Sequence, residues 1–155
     1  MGVDLVLVVP ENRKNDKKVI DDYYSFIFSK EKKLKLKIPK EKSITNARYR
    51  NALDWFEKKG SVLITERIYS DICNVLDWKS VYQLFGGLYD SDKTIIHGDK
   101  IKELIRLLRE AGEKLVRSQK KDDPEWTDWE ATMETQVIAL CEFALNNNFG
   151  IHLSE

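Results

Sequence analysis

Cysteine, proline and histidine are all scarce in this chain, with two, three and two copies respectively, and each shortage closes off a class of protein. Cys73 and Cys141 stand 68 residues apart, each within an apolar pattern and neither in a C-x-x-C pair. They read as two buried thiols of a reducing compartment rather than as a disulfide scaffold or a zinc knuckle. The prolines are too few for a Pro-rich linker or a polyproline segment. No net charge of either sign is left over, because Lys plus Arg and Asp plus Glu both number 26. The global balance therefore gives no electrostatic reason to expect a nucleic acid or an anionic membrane as partner. Long hydrophobic runs are missing too: the opening segment Val3-Asp4-Leu5-Val6-Leu7-Val8-Val9 is too short and too charged for a signal core, and nothing approaches a membrane span. These features together predict a cytoplasmic protein.

What is present is a chain of 155 residues, 42% hydrophobic and 34% charged, which is too apolar for disorder and of a size to bury one core. A single globular domain over 1–155 is the expectation. The charge is unevenly spread. Residues 1–60 carry 15 basic and 9 acidic groups, whereas residues 101–155 carry 7 and 11.

Periodicity predicts an α+β fold, with about five helices packed on a small sheet that includes the N-terminal strand (3–9) and the C-terminal strand (149–153). Residues 3–9 are rich in Val and Leu and stop at Pro10, as a buried strand does. Asn15 or Asp16 can cap a helix to about Ser29 on which Val19, Ile20, Tyr23 and Ile27 form a stripe. Leu34, Leu36 and Ile38 alternate with lysines up to Pro39, the pattern of an edge strand kept soluble. Ser43 or Thr45 begins a second expected helix that ends at Gly60, and residues 61–64 are ambiguous. From Thr65 a helix carrying Ile68, Ile72, Val75 and Leu76 is expected to Asp77, then a short one from Trp78 stopped by Gly86-Gly87. Thr94-Ile95-Ile96 is a short strand. Asp99 is expected to cap an amphipathic helix with Ile101, Leu104, Ile105, Leu108, Ala111, Leu115 and Val116, and a last helix from Pro124 or Thr127 runs through Leu140 and Ala144 to the asparagines 146–148. Pairing of the first and last strands would bring the two ends of the chain into one sheet.

No assembled catalytic motif stands in this sequence. The Walker and dinucleotide glycine patterns and the G-x-S-x-G elbow do not occur. His97 and His152 are the candidates for proton transfer near neutral pH. A twin-histidine phosphoesterase needs two facing H-x-[ST] tripeptides; His152-Leu153-Ser154 fits and His97-Gly98-Asp99 does not. Asp54, Glu57 and Lys58 could hold a magnesium ion and a water, but on a helix surface such charges are ordinarily solvated. No cofactor and no metal is expected, since Cys73, His97, Cys141 and His152 are scattered.

Two charged regions remain as working surfaces. Residues 30–42 hold seven lysines, with Arg48 and Arg50 just beyond, which suits either an anion site or a soluble edge strand. Residues 122–130 interleave Trp126 and Trp129 with five carboxylates, among them Asp128 and Glu130. That suits an acidic, aromatic contact surface for a basic partner, or simply the first core turn of a helix whose acids meet its positive end. The leading expectation is a non-enzymatic protein–protein interaction module of the inhibitor, immunity or antitoxin kind, binding through Trp126, Trp129, Asp128 and Glu130. The alternative is a protein that sequesters a small nucleotide-like anion with Arg48, Arg50, Arg67, Tyr89 and His97. Third comes an unfamiliar hydrolase using His97 or His152. A protein partner is thus expected first and a small anionic ligand second, a membrane is not, and a homodimer is left open.

Overall fold

A computed structural model describes residues 3–34, 62–63, 66–70, 78–84, 86, 94–118 and 137–154. The strands are β1 (Val3–Val8), β2 (Lys33–Leu34), β3 (Val62–Leu63), β4 (Arg67–Ser70), β5 (Ile95–Ile96) and β6 (Gly150–Ser154). The α-helices are α1 (Lys17–Ile27), α2 (Trp78–Leu84), α3 (Asp99–Ser118) and α4 (Ala139–Asn146). The architecture is mixed α+β. Among the described residues three helices reach eight residues and α2 has seven, so the expected count of about five is not met.

The main sheet is antiparallel, in the order β4-β1-β6-β5. The first and last strands pair at its centre, with Leu5 opposite Leu153 and Leu7 opposite Ile151. Because side chains alternate across a strand, this register puts Leu5, Leu7, Ile151, Leu153 and, through its pairing with Ile151, Ile96 on one face. All five are fully buried. They join Ile101, Leu104 and Leu108 of α3, Leu140 and Ala144 of α4, and Val19 of α1 in one core cluster.

Local chemistry explains the main elements. Asp16 caps α1 by accepting from the Val19 amide, so the expected cap holds, and the helix ends at Ile27. Val19 is buried, while Tyr23 and Phe26 pack against the core. Phe26 fell outside the expected stripe; it meets Phe143 of α4 with ring centroids 4.5 Å apart. Tyr23 packs edge-on to Phe149 at 5.7 Å and donates its hydroxyl to the Leu7 carbonyl at 3.0 Å, tying α1 to β1. Burial first, and the Glu66 charge second, push its phenol pKa upward. In α3, the carbonyl accepting from Ile101 and Lys102 is that of Gly98, so Gly98 takes the cap position expected of Asp99, and Asp99 lies inside the first turn. Arg109 bridges α3 to Glu142 of α4 at 3.0 Å.

One expected element is corrected. Residues 67–70 form a strand where a helix from Thr65 to Asp77 was expected; the remainder of that span, residues 71–77, lies outside the described residues. The apolar spacing there fits a helical stripe, but β1 has a second edge whose amides and carbonyls need partners. Residues 67–70 supply them, with Val6 opposite Arg67, and the Glu66 carbonyl extends the ladder by accepting from the Leu7 amide at 2.7 Å. Four residues are too few for a period of two to be legible. The ambiguous segment 61–64 contains β3, which pairs antiparallel with β2. Gly86, at φ 84°, donates its amide to Gln83 and stops α2 as expected.

Gly150 is the glycine that packing demands. A Cβ there would lie 2.5 Å from Ile95 Cγ2 and 3.1 Å from the Ile96 carbonyl oxygen, so β5 sits as close as it does because position 150 has no side chain.

Candidate functional site

The sheet ends in a cleft of about 140 Å³ where three segments meet. Pro10, Asn12 and Arg13 follow β1, His97 and Gly98 join β5 to α3, and Ala144, Leu145, Asn148 and Phe149 come from the end of α4 and the approach to β6. Pro10, Ala144 and Phe149 are buried and form its floor, while Asn12, His97 and Asn148 are exposed at its mouth. The local chain makes this shape by two left-handed residues: Gly98 at φ 58° turns β5 into α3, and Asn148 at φ 58° turns α4 into β6. Asparagine tolerates that conformation better than most side chains.

Arg13 is the permanent charge of the cleft. Its guanidinium bonds Asp16 Oδ2 at 3.3 Å, and Asp16 Oδ1 is the α1 cap, so one carboxylate both starts the helix and steadies the arginine. The carbonyls at the end of α4 are largely engaged. Phe143 O accepts from the Asn147 amide at 3.2 Å and from its side chain at 2.9 Å, and Ala144 O accepts from the Phe149 amide at 2.8 Å.

Of the expected ligand-binding residues, the structure describes Arg67 and His97 and does not bring them together. Arg67 lies on β4 and His97 just after β5, the two outer strands of the main sheet. Three strand spacings separate those edges, about 14 Å. Arg67 ion-pairs with Asp4 of β1 at 2.7 Å. Arg48, Arg50 and Tyr89 lie outside the described residues, as do Trp126, Trp129, Asp128 and Glu130, the lysine-rich stretch beyond Leu34, and Asp54, Glu57 and Lys58.

The two histidines also stay apart in role. His152 is half-buried on β6, opposite Val6 and Ile95, and is not part of the cleft wall. His97 is followed by Gly98 and the first turn of α3, so it does not start an extended tripeptide facing His152-Leu153-Ser154. The paired geometry of a twin-histidine phosphoesterase is not formed. Cys141 is fully buried, and desolvation, reinforced by the Glu142 charge, pushes its thiol up to about 12, which removes it as a nucleophile. Cys73 lies outside the described residues. Among the described residues no three His, Cys, Asp or Glu side chains are grouped to hold a metal ion, and no helix is long and apolar enough to cross a membrane.

Asn12, Arg13 and Asn148 carry no sequence signal for a site. Asn148 stands in the asparagine run that reads as a helix stop, and Arg13 precedes a cap. Only the strand order brings Asn148 beside Asn12 and Arg13. Compared with family models, with curated proteins and with solved structures, the chain gives no match.

Proposed function

We propose that this chain is a non-enzymatic binding protein, a protein–protein interaction module of the inhibitor, immunity or antitoxin kind acting in the cytoplasm. The observation that supports it is the outer side of α1. Tyr24 and Phe28, one helical turn apart, are 51% and 79% exposed and stack with ring centroids 6.2 Å apart. Large aromatic side chains exposed to water are typical anchors of protein interfaces, since they contribute much contact area for little lost rotamer freedom. The acidic, aromatic composition of the sequence Trp126-Thr127-Asp128-Trp129-Glu130 supports a preference for a basic partner.

The test is quantitative co-purification from the native cell at low and high salt, with the wild-type chain, Tyr24→Ala/Phe28→Ala and Trp126→Ala/Trp129→Ala. A basic partner recovered with the wild type is expected to be lost from both double variants and weakened by salt. Unchanged recovery with both variants, each still folded by circular dichroism, removes the proposal.

A further inference from the structure

We propose that the cleft at the end of the sheet is a binding site for a phosphate-type oxyanion, free or as the head of a monoester, independent of the partner-binding reading. The argument begins with the sign of what lines it. Arg13 supplies a guanidinium, which only donates; Asn12 and Asn148 supply amide groups; and the His97 imidazole offers at least one N–H in either protonation state. No carboxylate is among the described residues that line it. Three carboxylates close by in sequence are engaged elsewhere or solvated: Glu11, 81% exposed, pairs with Lys14 at 3.3 Å, Asp16 caps α1 and holds Arg13, and Asp99 lies in solvent beside Lys102 at 3.7 Å. A cation would meet the Arg13 guanidinium, whose partner Asp16 is already engaged as the α1 cap. An anion meets donors.

Direction and size narrow the class. The polar side chains arrive from three segments, the turn before α1, the β5–α3 junction and the α4–β6 junction. Polar side chains drawn from three segments suit an oxyanion with three outward oxygens better than a planar carboxylate, and the guanidinium fork matches two of those oxygens. A volume of about 140 Å³ is well below the several hundred that enclose a whole organic ligand, so the cleft takes the oxyanion head and leaves any attached group in the open mouth. The buried floor of Pro10, Ala144 and Phe149 keeps water from screening the underside of the site. Arg13 is held in place before any ligand arrives, because its Asp16 bond uses one of five donors.

The experiment titrates inorganic phosphate, ribose 5-phosphate and acetate into the full chain at constant ionic strength, followed by ¹H–¹⁵N correlation spectra. Phosphate is expected to shift the Gly98, Asp99 and Asn148 amides saturably, with a Kd of about 1 mM or tighter. Arg13→Gln should weaken binding at least about tenfold, because it removes the charge-assisted fork. Asn148→Gly keeps the left-handed backbone, since glycine adopts it freely, and should weaken binding without unfolding the chain. Ribose 5-phosphate binding more tightly than phosphate marks a monoester as the ligand, and the reverse order marks the free ion. Trp126→Ala/Trp129→Ala should bind phosphate unchanged, which keeps this result separate from partner binding. Shifts that grow without saturating, equal affinity in Arg13→Gln, or a preference for acetate would overturn the proposal.

Discussion

The two faces of the β1–β6 ribbon share one backbone and one register, yet they differ in everything that burial decides. Leu5, Leu7, Ile151 and Leu153 are fully buried against α3 and α4, whereas Asp4, Val6, Val8, His152 and Ser154, one residue out of phase, are only partly covered. On β6 this difference is written as alternation, Ile-His-Leu-Ser. On β1 it is hidden, because Val6 and Val8 are as apolar as the leucines beside them. The lesson is that an apolar run does not state how many faces of a strand are buried. Here the leucines take the core, and the compact, branched valines take the half-covered side, where a pleated surface suits them.

The contrast can be broken by truncating one side chain on each face. Leu153→Ala should cost about 2–5 kcal/mol in urea unfolding, because it removes a fully buried side chain and leaves a cavity. Val8→Ala should cost roughly 1 kcal/mol, since a half-covered valine loses only part of its burial free energy. Equal losses would mean that the two faces are alike in solution.

Smaller effects sharpen how the helical layer is fastened to the ribbon. Tyr23→Phe keeps the edge-on contact with Phe149 but removes the hydroxyl donated to Leu7 O, and should lower stability by about 1 kcal/mol, measured by thermal unfolding. The smallest effect is expected at Lys32 and Glu66, which ion-pair next to the start of β2 and β4. The hydrogen bond from Lys32, then that from its own backbone amide, holds the Glu66 carboxyl below its ordinary range. A lowered folded value means that this stability is present above the unfolded carboxylate pKa, about 4.3, and is lost as pH falls through the folded value. With Glu66 42% exposed, solvent screening keeps the contribution under about 1 kcal/mol. In Lys32→Met, stability should be slightly reduced at neutral pH and its decline on acidification shallower than in the wild type. An identical acid profile in the two proteins would show that the pair adds nothing.

Much of the framework was legible because its causes are local. The Asp16 cap, the strand ended by Pro10, the stripe of Ile101, Leu104, Ile105 and Leu108, and the Gly86 stop each follow from dihedral preference or from periodicity within one segment. Pairing of the first and last strands was a reasonable expectation because both are apolar and short. β4 was not legible, since four residues beside a helical spacing reveal their state only when the open edge of β1 claims their backbone. Nor could the sequence show that Arg67 and His97, two of the five residues expected to bind an anion, lie on opposite edges of the main sheet, which the strand order decides.

By itself the sequence determined an α+β chain with a leucine and isoleucine core, balanced charge and two buried-type cysteines, of which Cys141 is found fully buried. Tertiary structure alone decided that Arg13, His97 and Asn148 share one cleft, although up to 135 residues separate them along the chain. Side-chain patterns report whether a residue faces oil or water within its own element. Which elements become neighbours is settled by strand pairing and by the close approach of β5 that Gly150 permits, and neither leaves a periodic signal in the chain.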